Sequence, residues 1–145
     1  MNDPFNLTRF VTAQSPVYEQ VLTELRAHRK TTHWIWSIFP QIHGLGSSPT
    51  AQTYAIQSLA ETTAYLAHPI LGPRLRECTQ LVLNARALPI RQILGTPDDL
   101  KFHSSLTLFA HATAANQPFV EATQTFFAGR YDDLTLSILA KDQAP

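Results

Sequence analysis

The stretch KTTHWIWSIFPQ, residues 30–41, sets a lysine, a histidine, two tryptophans and a glutamine around an apolar run. Small-ligand pockets pair an apolar wall with a few placed polar groups. Each residue type here has a part in such a wall. Lys30 would hold an anion, His33 and Gln41 would orient a ligand by hydrogen bonds, and Trp34 or Trp36 would stack on it. At helical spacing Lys30, Trp34 and Ile38 share one face and His33 falls on another, so the two indoles point apart and cannot both enter one core stripe. The same residues also fit core anchors, because a buried tryptophan needs a partner for its N–H, and His or Gln supplies one.

A second group lies in TPDDLKFHSSLTLF, residues 96–109. With Phe102, Leu106 and Phe109 turned inward, Asp98, Lys101 and Ser104 or Ser105 share a different face. A lysine beside a serine can activate its hydroxyl, but no S-x-x-K order exists here, and Asp98 three residues from Lys101 would keep that amine protonated. A salt-bridged polar network is the simpler reading. In AHPILGPRLRE, residues 67–77, Arg74 could clamp a carboxylate or phosphate bidentately, although an ordinary ion pair also accounts for it. His68 ends a helix there. The turn GLGSSPT has neither a phosphate-loop nor a G-x-G-x-x-G pattern. Six histidines without H-E-x-x-H, and one cysteine on an apolar stripe, offer no metal-ligand spacing. No cofactor or metal is expected, and Cys78 reads as an inert core thiol.

Composition narrows the partners. Of 145 residues 44% are hydrophobic and 15% charged, with 11 Lys+Arg balanced by 11 Asp+Glu. Without a net field, nucleic acid and anionic membranes are disfavoured partners. The N-terminus MNDPFNLTRF lacks the basic-then-apolar build of a secretory signal, and no apolar run approaches the ~20 residues that cross a bilayer. The expectation is a cytoplasmic, soluble protein; nothing here fixes its oligomeric state.

Prolines punctuate the elements that must position these groups. Asp3-Pro4, Ser15-Pro16, Ser48-Pro49, Gly72-Pro73, Thr96-Pro97 and Pro118 each precede an apolar stripe at helical spacing, as suits a residue with no N–H to lose at the first helical position. Ser58 to Glu61 has capping-box spacing. Gly129 suits a helix stop and Asp133 a cap for LTLSIL. No apolar-polar alternation lasts a strand's length. Residues 1–145 are therefore expected to form one all-α domain of about seven to nine short helices, with the tail AKDQAP frayed.

Several blocks, in order, also carry a resemblance: DPFNLTRFVTAQ, HWIWSIFPQIHGLGSSPTAQTYAIQSLAETTAYLAHPILGPRLRE, PDDLKFHSSLTLF and FFAGRYDDLTL. Together they resemble the bacterial family known as domain of unknown function 1810. The resemblance implies a compact all-helical domain and no established activity. Some members carry the label calpastatin, a protease inhibitor, for which these residues give no physical basis. Motif positions carried over include Lys30, His33, Trp34, Trp36, Gln41, Tyr54, Arg74, Lys101 and Ser104. His28 departs from the pattern, which has glycine there, and Ser37 stands where an aromatic is common.

The resulting expectation is a semi-polar pocket between KTTHWIWSIFPQ and DDLKFHSS, binding a small polar or anionic ligand. Two alternatives stand beside it. One is a hydrolase or transferase on a nucleotide-like substrate with His33 as general base, which needs an acid or hydroxyl within ~3 Å of it. The other is a protein-interaction module, which needs a contiguous exposed apolar patch.

Overall fold

The computed structural model describes residues 2–142 and contains ten helices, seven of them seven residues or longer. Their order is α1 Thr8–Gln14, α2 Tyr18–Arg26, α3 Ile35–Ile38, α4 Pro49–Thr53, α5 Leu59–Ala67, α6 Leu71–Asn84, α7 Ile90–Leu94, α8 Asp98–Ala110, α9 Phe119–Phe127 and α10 Asp133–Asp142. The fold is all-α; among the described residues the only β pairing is an isolated bridge between Ile42 and Ile56. None of these helices is long and apolar enough to cross a membrane.

Helix α8 runs through the centre. Phe102 and every residue from Ser104 to Ala110 are buried, and the helix packs against α3, α5, α7, α9 and α10. The inward stripe Phe102, Leu106 and Phe109 forms as its spacing predicts, and each fully buried ring contributes roughly 1.5–3 kcal/mol relative to exposure. Phe39 meets Phe102 edge-on at 4.8 Å between centroids, and Tyr65 meets Phe109 at 5.2 Å. Cys78 joins this core, where burial pushes its thiol up to about 12.

Several caps form where expected. Ser48 Oγ accepts the Ala51 N–H and Ser58 Oγ accepts the Glu61 N–H, both at 3.1 Å. Glu61, however, returns its carboxylate to the N–H of Gln57 rather than Ser58. Other boundaries move. Asp3 acts from a distance, taking the N–H groups of Leu7 and Thr8 at 2.8 and 3.0 Å, so α1 opens at Thr8 and not at Pro4. The Thr96 hydroxyl donates to Asp99 instead of capping backbone, and α8 opens at Asp98. Asp132, one residue before the expected Asp133, caps α10 because its carboxylate takes both the N–H and the hydroxyl of Thr135. The left-handed turn after α9 begins at Ala128, before Gly129. Ala140 to Asp142 of the expected frayed tail are still helical, and its last residues lie outside those described.

The end of α2 explains the departure at His28. The Arg29 N–H reaches the Glu24 carbonyl at 3.0 Å and the His28 N–H the Leu25 carbonyl at 3.1 Å, which is a Schellman stop. His28 holds its left-handed position with φ 62°, where a glycine carries no Cβ penalty.

Candidate functional site

Most of the site's wall is one loop, closed at its base. The Ile56 N–H donates to the Gln41 carbonyl at 2.9 Å and the His43 N–H to the Ile56 carbonyl at 2.8 Å, forming the parallel bridge. Between these ends the chain turns through Gly44, forms α4 and returns by way of Tyr54. Arg9 fixes the return limb: it donates to the carbonyls of Thr53 and Ala55 at 2.9 and 3.0 Å and pairs with Glu61 at 2.7 Å. Those carbonyls flank Tyr54, so Arg9 holds the backbone that carries its ring. That ring packs on Trp36 at 4.5 Å between centroids, tilted by 41°. The opposite limb is held by His43, whose Nε2 lies 2.9 Å from Asp142 Oδ2 at the end of α10.

Two adjoining cavities open on this loop, of about 460 and 510 Å³. Both fall in the ~300–1,000 Å³ range of small-molecule sites. Trp36, Tyr54, Gln41, Gln52 and Gln57 wall the first. Leu45, Leu100, Leu134, His103, Ser104 and Asp132 line the second. Gln41, Gly46 and Lys101 belong to both, so Lys101 stands where they meet. Gly46 is required there, since a Cβ would lie 2.6 Å from that of Ala51.

The two lysines and two tryptophans divide. Lys30 Nζ sits 2.6 Å from Asp98 Oδ2 and 2.6 Å from the Thr32 carbonyl, over the Trp34 ring. Trp34 is 1% exposed and donates its indole N–H to Glu24 Oε1 at 3.0 Å. By contrast, the ion pairs among the described residues use Lys30, Arg9, His43 and Arg86, and none uses Lys101. Nor does any hydrogen bond among those residues engage the Lys101 amine, the Gln41 amide, the Trp36 N–H or the Tyr54 hydroxyl, all on the first cavity, where none is sealed from solvent. The expected pairing of Asp98 with Lys101 is thus corrected: Asp98 takes Lys30, which reaches it from a distant segment.

Trp36, Gln41, Tyr54 and Lys101 therefore come together, and Ser104 joins the second cavity with its hydroxyl 3.3 Å from Asp132 Oδ2. Lys30 and Trp34 lie outside both linings. His33 is exposed, lines neither cavity, and has no described acid or hydroxyl in hydrogen-bond reach. Arg74 lies over the Tyr18 ring at 4.5 Å and donates to Gln14, also away from the cavities. Residues that spacing did not single out complete the site: Gln52, Gln57, His103 and Asp132. His103 stacks on Phe127 at 3.9 Å, and its Nε2 lies 2.7 Å from the Arg130 carbonyl. A carbonyl only accepts, so Nε2 carries the proton.

The family model described as protein of unknown function (DUF1810) matches residues 4–139. The chain belongs to this family. The segments that build the cavities, 36–57, 97–104 and 132–134, all fall inside the DUF1810 span. The chain is also similar to a solved structure, that of the conserved hypothetical protein Rv1873 from Mycobacterium tuberculosis, at 56% identity and a TM-score of 0.94. That match covers 95% of this chain and 99% of the other. Among curated proteins nothing matches.

Proposed function

We propose that the protein is a cytoplasmic binder of a small polar or anionic ligand, held in the paired cavities with Lys101 as its charged contact. The observation that carries this reading is the convergence of four unengaged polar ends, on Lys101, Gln41, Trp36 and Tyr54, around one cavity. The buried side chains of Lys30, Trp34, Glu24 and Tyr65, by contrast, all have partners within the protein. Polar groups left free together on a concave wall are the groups a ligand can satisfy.

The test is a thermal-shift screen against metabolites and nucleotides. A ligand present at 100 times its dissociation constant stabilises the folded state by about 2.7 kcal/mol. The hit should lose its shift in Lys101→Ala, and a library that gives no Lys101-dependent shift counts against the reading.

A second reading draws on Leu100 and Leu134, which are 60% and 65% exposed at the rim of the second cavity. Exposed leucines at a rim suit a protein-interaction surface. A concentration-dependent sedimentation shift abolished by Leu100→Ser with Leu134→Ser would favour it.

A further inference from the structure

The lining of the first cavity narrows the chemistry of the ligand, given the reading above of Lys101 as its charged contact. Besides Lys101, the only titratable nitrogen that the described residues place on that lining is His43, already held by Asp142, and none of them brings a carboxylate to it. Its field is therefore cationic and favours an anionic group near Lys101. Asp132, the carboxylate of the second cavity, has Oδ2 taken up by Ser104 and Thr135, and it disfavours a second anion on that side.

The remaining wall is aromatic and amide. Trp36 and Tyr54 are tilted 41° to each other, so a planar ring lying flat on one meets the other at the same tilt, an inclined contact of the kind aromatic rings make. Around them stand Gln41, Gln52 and Gln57. The Gln52 and Gln57 amides each donate one bond inside the protein, to the carbonyls of Ser47 and Ala55, which leaves their oxygens and a second N–H. The Gln41 side chain donates none among the described residues. A glutamine amide presents a donor beside an acceptor, the pattern that pairs with the edge of a nitrogen heterocycle. An aliphatic acid would use the ammonium and offer the ring faces no flat surface, whereas a neutral sugar can pack its C–H face on a ring but leaves the ammonium without a counter-charge.

We infer that the ligand is a flat nitrogen heterocycle bearing one anionic group, with its ring against Trp36 and Tyr54, its polar edge at Gln41 and its anion at Lys101. Nucleoside monophosphates and heterocyclic carboxylates belong to this class. Trp34 is sealed and bonded to Glu24, so fluorescence quenching by a bound ring reports on Trp36.

The experiment titrates the full chain with adenosine monophosphate, guanosine monophosphate, orotate, adenosine, citrate and inorganic phosphate, read by calorimetry and tryptophan fluorescence. At least one heterocyclic anion should bind ten or more times tighter than citrate or phosphate and quench the emission. Its affinity should fall at least tenfold in Lys101→Ala or in Lys101→Met, with circular dichroism and melting confirming the fold of each variant. Gln41→Ala should weaken the heterocycle more than citrate. Should citrate or phosphate bind as tightly as every heterocycle, with Lys101 dependence and no quenching, the heterocycle assignment is overturned and the anion-binding function stands. Should no probe and no screened compound bind in a Lys101-dependent way, both fall.

Discussion

Lys30 Nζ lies 2.6 Å from Asp98 Oδ2, with side chains only 5% and 18% exposed. This pair joins the segment before α3 to the first turn of α8, and it removes from Lys101 the acid that stands three residues away. One lysine is thus a structural partner and the other has no ion pair among the described residues, distinguished by which of them Asp98 accepts.

The two lysines should separate in mutagenesis. Lys30→Ala leaves a desolvated carboxylate without its partner and should cost about 3 kcal/mol. Lys101→Ala removes a side chain with no bond to the other described residues and should change stability by no more than about 0.5 kcal/mol. Urea melts of both variants decide it; equal losses would contradict the division.

Glu24 should make the fold acid-sensitive. Burial raises its carboxyl, but donors outweigh that effect, namely the Thr32 hydroxyl, the N–H groups of Thr31 and Thr32, and Gln20, bringing it from 4.5 to about 2. A carboxyl depressed in the folded state stabilises above its unfolded value and loses that contribution as pH falls through the folded one. Between about pH 4.5 and 2 the protein should therefore lose roughly 3 kcal/mol from this group. Glu24→Gln should be less stable at pH 7 and show a flatter profile over that window, measured by chemical denaturation at stepped pH.

His28→Gly should stabilise. The left-handed φ of 62° costs a residue with a Cβ on the order of 1–2 kcal/mol, partly offset by the greater freedom of glycine in the unfolded chain. A net gain of about 0.5–1 kcal/mol is expected, seen as a higher Tm with unchanged circular dichroism. A lower Tm would show that the imidazole contributes more than the turn demands.

Cys78 should resist alkylation. Its thiol is buried and its pKa is pushed up to about 12, chiefly by desolvation, so almost no thiolate exists at pH 8. Iodoacetamide followed by mass spectrometry should find it unmodified in native protein and labelled in urea. Native labelling at the unfolded rate would mean that α6 opens readily.

Local chemistry was legible in the sequence and long-range pairing was not. Ser48 and Ser58 cap where their spacing says, and the stripe Phe102, Leu106 and Phe109 is buried, because caps and stripes are decided within a few residues. Asp98 pairs with Lys30 across 68 positions, which spacing cannot reveal, and the neighbouring Lys101 was the natural but incorrect partner. The divergence of the two indoles was readable, while which one meets solvent depended on Glu24, an acid inside the apolar face of α2. The loop closure by Ile42 and Ile56 left no trace, since a single-residue bridge has no alternation to recognise.

That bridge carries an evolutionary consequence. With residues 42 and 56 tied to each other, the cost of bringing the ends together is met at the base and depends only weakly on what lies between. The tip is in effect a cassette mounted on an unchanging chassis. Selection can rewrite its contents at little entropic cost as long as the ties of Arg9 and His43 to the helical body are kept.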